Sequence, residues 1–252
     1  MQTHTEYPNI HSIQNIKSLL KSKNIRFNST IFWDLDNTVF QPKEELGSDQ
    51  WFCGFHSLAK TKLGSRFKME YMIATYNAVQ AHVETTHVEE KTITIIKYLA
   101  AAGIPQGFIT ARNIDLQTIT QNQLSSIGIN PKKHQIIYCN GGNKGSKLIE
   151  HLRFYPRHVI MVDDKFENVL NIQNALENLG IPFTGFHYEY LREKVENFDI
   201  GYAHFQLSLI QHALPRMVRD FIQQLELSWE SHHEESSKNT NSIHPLKIKS
   251  PI

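Results

Sequence analysis

The sequence predicts an α/β fold, a doubly wound parallel sheet with helices on both faces and a small helical cap insertion. Three observations carry this. From residue 89 to residue 188, short apolar runs alternate strictly with helical patterns, the order that a parallel sheet with crossover helices requires. Those runs end in acids and hydroxyls, at the edge of such a sheet where ligands bind. Residues 41–85 stand between the first strand and the alternating part, in the place of an insertion over that edge.

At 252 residues the chain is long enough for one well-buried core with a small insertion. Lys and Arg number 26 against 25 Asp and Glu, a formal charge of +1, which gives no electrostatic case for nucleic-acid binding. Cys53 and Cys139 lie far apart and form no CxxC. They read as reduced thiols of a cytosolic-type protein, not as a disulfide frame or a zinc site. No apolar run approaches the roughly 18 residues that span a bilayer. Residues 1–23 lack the charged start and apolar core of a Sec signal peptide. A soluble protein is expected.

Taken in order, Ile10, Ile13, Ile16, Leu19 and Leu20 fall near one face of a helix over 10–21. The first three-part expectation of domains follows: an N-terminal helix packing on the core (1–29), a core with a small cap at about 41–85 (30–229), and a flexible tail (230–252). "TIFWDLD" is the first strand, and a helical stretch is expected from about Phe67 to Val83 in the cap. Ile93, Ile96, Leu99 and Ala100 mark one face of a helix ended by Gly103. Strands are then expected at 106–110, 134–139, 158–164 and 181–188, and helices at 116–128, 144–152 and 167–180. Residues 203–229 read as one or two helices with Pro215 at a start or kink. Residues 230–252 are polar and poor in bulky apolar groups, the composition of a disordered tail.

The strand ends gather Asp34 and Asp36, Thr110 and Arg112, and Asp163 with Asp164, while Lys144 opens the helix after the third strand. Two carboxylates so close raise each other's pKa unless something positive lies between them, so the expected occupant is a divalent cation. The set suits attack on phosphorus. Asp34 would act as nucleophile through an acyl-phosphate, and Asp36 as acid and then base. Thr110 and Lys144 would bind the phosphoryl oxygens. Asp163 would ligate the metal, with Asp164 acting directly or through a water, and hard oxygen ligands suit Mg²⁺.

"DLDNT", "FITAR", "NKGSKL" and "VDD", in this order, resemble the four motifs of the haloacid dehalogenase (HAD) superfamily. The resemblance covers residues 30–188. It implies Asp34 as nucleophile, Asp36 as acid/base, and Mg²⁺ held by Asp34, the Asp36 backbone carbonyl and Asp163. "GSDQWF", "GGNKG", "VDDKFEN" and "YEYLREKVENFD" further resemble a HAD branch of undefined function found in intracellular bacterial pathogens. An aspartate nucleophile and paired acids in the fourth motif point to a phosphatase rather than a dehalogenase.

Each residue also has a plainer reading. A bare D-x-D-x-T arises by chance in about one chain in thirty of this length, and two acids after a strand usually form a turn or a cap. Lys147 competes with Lys144, Asp164 and Asn168 suit helix capping, and Arg112 serves either substrate binding or structure. Thr110 alone would be a strand-end hydroxyl. The pairs His82/His87 and His232/His233 lack zinc spacing. Trp51, Phe52, Phe55, Phe67, Tyr71 and Tyr76 either line a substrate pocket or form the cap's own core.

The expected function is Mg²⁺-dependent phosphomonoester hydrolysis on a small-molecule or protein substrate, phosphotyrosine protein included. The alternative is a HAD scaffold kept as a binding or host-interaction module. Glu230, Glu234 and Glu235 resemble the glutamate-rich C-terminal signals of effectors exported by type IV secretion, so the expected location is the bacterial cytoplasm or, after translocation, a host cell. An ordinary solvated tail is the plainer reading.

Overall fold

The computed structural model describes residues 9–15, 29–152 and 156–226. Eight strands are present among them: β1 (Asn9–Ile10), β2 (Ser29–Trp33), β3 (Phe40–Pro42), β4 (Thr85–His87), β5 (Gln106–Thr110), β6 (Gln135–Tyr138), β7 (His158–Asp163) and β8 (Phe183–Tyr188). Six of them form one sheet in the order β1-β8-β7-β2-β5-β6, and every neighbouring pair is parallel. The doubly wound sheet expected from the sequence is the sheet observed.

Alternation along the strands shows why two layers of helices are needed. Ile31, Trp33, Phe108, Ile160 and Val162 face one side, where helix α3 (Thr92–Ala101) contributes Ile95, Ile96 and Leu99, and helix α4 (Gln117–Ser126) contributes Leu124. Phe32, Ile109, Ile137, Val159 and Met161 face the other, under Leu148 of α5 (Lys144–His151) and Ile172 and Leu176 of α6 (Phe166–Glu177). A strand apolar on both faces gains stability only when both are covered.

Two parts depart from expectation. Residues 9 and 10 are a strand, not the start of a helix: Asn9 and Ile10 pair with His187 and Tyr188 at the edge of β8. Helix begins only at residues 13–15, where the Glu89 carboxylate accepts the Ile13 N–H at 2.6 Å and the Ser12 hydroxyl at 2.6 Å. An edge strand's unpaired backbone groups and a buried acceptor outweigh the helical spacing of the isoleucines. The rest of the expected N-terminal helix, and the tail from residue 227, lie outside the described residues.

The second departure is in the insertion. Besides α2 (Met69–Gln80), it holds an earlier helix, α1 (Asp49–Leu63), started by Ser48, whose hydroxyl accepts the Trp51 N–H at 3.0 Å. Its mid-helix Gly54 and its aromatics weaken the helical signal. Trp51, Phe55, Met72 and Val79 form a separate core with Ala203 and Leu207 of α8 (Ile200–Ile210) and Val218, Phe221 and Leu225 of α9 (216–226). The insertion's aromatics therefore pack largely on one another and on the C-terminal helices. Pro215 precedes α9, and its carbonyl accepts the Val218 and Arg219 N–H groups. A short helix α7 (Arg192–Glu196) joins the sheet to this helical module. The antiparallel pair β3/β4 joins the module's base to the end of β2. No helix among the described residues is long and apolar enough to cross a membrane.

Helices α5 and α6 cross closely at Gly145, where an added Cβ would overlap the Asn171 carbonyl oxygen. Gly145→Ala should therefore cost about 1–3 kcal/mol in a denaturant titration. An unchanged midpoint would show that the crossing has slack.

Candidate functional site

Strand β2 ends at Trp33, and the Asp34 N–H still donates to the Val162 carbonyl at 2.9 Å, holding the first acid beside β7. The chain then closes tightly: the Leu35 carbonyl accepts from the N–H groups of Thr38, Val39 and Phe40. Asn37 takes a φ of 61°, a conformation that asparagine tolerates better than most residues. This turn ties to the end of β7. The Thr38 hydroxyl accepts the Asp164 N–H at 3.1 Å, and the Asn37 amide donates to Asp164 Oδ2 at 3.2 Å.

Lys144 is the first residue of α5, whose cap Asn143 accepts the Ser146 N–H at 3.0 Å. The preceding loop is bound to the end of β5: the Cys139, Asn140 and Gly141 N–H groups donate to the carbonyls of Thr110, Arg112 and Ala111. The lysine is thereby carried inward, 2% exposed. Its ammonium donates to Asp34 Oδ1 at 2.6 Å and to Asp163 Oδ2 at 2.7 Å. Lys147 turns away to Glu150 at 2.6 Å. Asp163 Oδ1 also accepts from the Lys165 N–H and from Asn168 Nδ2.

Asp34, Asp163 and Asp164 each offer a carboxylate oxygen within 4.8 Å of the others. The Lys144 ammonium contacts two of them, Asp34 and Asp163. Burial, then the nearby Asp163 charge, holds the Asp34 pKa well above the usual carboxylate range, although Lys144 opposes this. Burial and Asp163 push Asp164 up to about 7. Burial alone would lower the Lys144 pKa, but Asp163 and Asp34 raise it above the ordinary lysine value. A buried trio of oxygen donors short of positive charge is the chemistry a hard divalent cation fits.

Asp36 is placed differently. Its two oxygens accept from Arg112 Nε and one terminal nitrogen, both at 2.8 Å. Arg112 also donates to Thr120, Gln123 and Gln80, so all five of its N–H donors are engaged, and its guanidinium lies 4.8 Å from the Phe40 ring centroid. Of its two readings, the structural one fits this geometry. Thr110, fully buried at the end of β5, accepts the Arg112 backbone N–H at 3.2 Å.

Gln80 and Lys165 are not singled out in the sequence, and Tyr76 only as one of the insertion's aromatics. Gln80, at the end of α2, receives from Arg112 and Gln123 and donates to the Gly47 carbonyl at 2.6 Å. Tyr76 is set near Asp36 and Arg112 on the same helix, and burial, then Asp36, raises its pKa. Lys165 pairs with Asp49 at the start of α1 at 2.6 Å. Only the alternation of apolar faces along α2 could have pointed to Gln80, as a polar residue on a buried stripe.

With this geometry in place, a family profile described as "Protein of unknown function (DUF2608)" matches residues 9–139 and 133–218. The chain belongs to this family. No curated protein matches it. Among solved structures, the HAD domain of the effector protein Lem4 from Legionella pneumophila, as an inactive mutant, is similar over 71% of this chain and 99% of that one, at 15% identity and a TM-score of 0.40. A hydrolase from Pseudomonas syringae is similar over 68% and 99%, at 11% identity and a TM-score of 0.37. The chemistry open to this DUF2608 chain rests on its own side chains.

Arg112→Met leaves the half-buried Asp36 carboxylate and the Thr120 and Gln123 oxygens without their donor, and should cost roughly 3 kcal/mol in urea unfolding. Arg112→Lys should recover only part of it, since an ammonium cannot reproduce the fork. A loss under 1 kcal/mol for Arg112→Met would mean that the network is not an anchor.

Proposed function

We propose that the chain is a Mg²⁺-dependent phosphomonoester hydrolase working through an aspartyl-phosphate on Asp34. The observation that carries this reading is the Lys144 ammonium seated between Asp34 and Asp163, with Asp164 in reach, at the carboxyl edge of a parallel sheet. Asp34, Asp163, Asp164 and the Asp36 backbone carbonyl would hold Mg²⁺, which when bound offsets the negative charge of the phosphoryl group.

The residues of the chain divide the remaining work. Lys144 bonds Asp34 through Oδ1, so Oδ2 is the oxygen that attacks phosphorus. The ester P–O bond breaks, and the leaving oxygen takes a proton from Asp36. Water then attacks the acyl-phosphate, Asp36 takes its proton, and inorganic phosphate leaves with Asp34 restored. Lys144 and the Thr110 hydroxyl hold phosphoryl oxygens throughout. To carry a proton, Asp36 must let go of one arm of Arg112, because both its oxygens now accept from the guanidinium. Arg112 is a positioning residue in this scheme.

That same bidentate pair is the observation favouring the second reading, a scaffold that binds without turnover. Phosphotyrosine protein stands among the proposed substrates, and translocation into a host cell rests on the tail glutamates Glu230, Glu234 and Glu235. Transfer unchanged after deletion of residues 230–252 would remove the translocation proposal.

Hydrolysis of an aryl phosphate with Mg²⁺ should fall by at least roughly 10³-fold in Asp34→Asn and by about 10²–10⁴-fold in Asp36→Asn. No turnover by a folded wild type would favour the binding module. Independently of activity, Mg²⁺ at about 100 times its Kd should add about 2.7 kcal/mol to unfolding stability. Asp163→Asn should remove that gain, and an equal gain in both proteins would place the cation elsewhere.

A further inference from the structure

Helix α8 carries apolar side chains all round, and the chain packs only its inner faces. Ala203 and Leu207 are buried in the core of the helical module. Gln206 donates to Glu44 at 2.8 Å and accepts the Leu46 N–H at 2.9 Å. The His204 ring meets Phe55 edge-on, with centroids 5.8 Å apart. Outward stand Tyr202, Phe205 and Leu209, 47%, 57% and 57% exposed, at the i, i+3, i+7 spacing of a helix–helix seam. We propose that this face pairs with the same face of a second copy of the chain, the two α8 helices running antiparallel. The inference is independent of the hydrolase reading.

The chemistry of the face narrows what can cover it. From residue 200 to residue 215 the sequence holds no Asp, Glu, Lys or Arg. A helix that lies on a lipid surface carries Lys and Arg along its polar edge, and a charged peptide needs counter-charges. This stretch offers neither. What fits it is a second uncharged apolar face. The two ends of the helix complement each other, because Asp199 is exposed at its start and His212 is exposed just past its end. In the antiparallel register that sets Tyr202 opposite Leu209 of the second copy, Asp199 stands opposite His212 of the second copy, a carboxylate facing an imidazole N–H. Each helix N-terminus then lies beside a C-terminus, the favourable arrangement of the two dipoles. A two-fold axis through the middle of α8 makes every such contact twice. A parallel pairing would set Asp199 against Asp199.

The surface has the size that such a contact uses. The three side chains leave on the order of 300 Å² of apolar surface in water, against about 450 Å² of apolar area per partner in a standard interface. A dimer with a dissociation constant in the micromolar range is expected. Little has to be ordered when the faces meet. Tyr202 and Phe205 already stack on each other, with centroids 6.3 Å apart, and the Ser208 hydroxyl is satisfied by the Phe205 carbonyl at 2.7 Å. Gly201 and Ser208, next to Tyr202 and Leu209, are small and leave room for the rings of the second copy.

Sedimentation velocity of the full chain from roughly 1 to 200 µM measures the dissociation constant. Phe205→Glu and Leu209→Glu should each raise it by roughly thirtyfold or more. Leu179→Glu, at another exposed apolar position, should leave it unchanged. The side chains at 205 and 209 stand in water in a single copy, so thermal unfolding of both variants in dilute solution should match that of the unaltered chain. The register is read in a Cys53→Ser background, where the remaining Cys139 is buried. With copper phenanthroline as oxidant, Tyr202→Cys protein mixed with Leu209→Cys protein should form a disulfide-linked dimer, and neither should link to itself.

A monomer across the whole concentration range overturns the inference. A dimer that persists in Phe205→Glu and Leu209→Glu also overturns it, because the contact then lies elsewhere. Self-linking of Tyr202→Cys overturns the antiparallel arrangement. A monomer that binds vesicles of anionic phospholipid, and loses them in Phe205→Glu, would assign the face to a lipid surface instead. A monomer made several degrees less stable by Phe205→Glu would mean that the chain's own residues cover the face, which overturns the pairing as well.

Discussion

The Lys144 ammonium between Asp34 and Asp163 is the interaction on which the rest of the site depends. Three strand ends converge there, from β2, β7 and, through the loop after β6, the first residue of α5. Bringing Asp34 and Asp163 out of water beside each other is costly, and a single buried cation in contact with both at 2.6 and 2.7 Å offsets it. Everything near the lysine serves to deliver it. The glycine loop is bonded to the end of β5, Asn143 caps the helix, and Gly145 lets α5 lie close enough to α6 for the side chain to reach inward. The compensation is incomplete, since Asp164 stands close by and its pKa is raised to about 7. That residual shortage of positive charge is what would let the trio hold a cation as well as the lysine.

A second anchor lies at the far side of the same edge. Arg112 binds Asp36 with its fork and spends its other donors on Thr120, Gln123 and Gln80. Gln80 belongs to the insertion and holds the Gly47 carbonyl as well. The orientation of Asp36 is therefore tied, through one guanidinium, to the packing of α2. A buried network of this kind is strong only while each member is satisfied. It connects the chemistry proposed for Asp36 to the seating of the helical module, a link that no short motif expresses.

The sheet and most of the site were legible in the sequence for a physical reason. Strand alternation and strand-end acids are local patterns, and a parallel sheet brings consecutive strand ends to one edge whatever the loops do. Asp34, Asp163 and Lys144 meet because each sits at a strand end or at a helix start. What the sequence hid depends on contacts distant in the chain. Nothing in "NI" at 9–10 announces pairing with His187 and Tyr188, and the helix signal of the isoleucines ran the other way. Arg112 offered two roles until its partners at positions 36, 80, 120 and 123 were known. Helix α1 was obscured by Gly54 and its aromatics, whose burial requires the C-terminal helices.

Those C-terminal helices change what the insertion is. The core of Trp51, Phe55, Met72 and Val79 is completed by Leu207, Phe221 and Leu225, so residues more than a hundred positions apart build one module. A short insertion alone would have too little apolar area to hold a fixed shape. With α8 and α9 beneath it, α1 becomes a firm wall, and its N-terminus is tied to the sheet edge by the Asp49–Lys165 pair. A cavity beside Asp164 is bounded by this wall on one side and by β8 and α7 on the other. Its shape is thus set by two packed bodies instead of a loop, the condition under which a cleft keeps a fixed form.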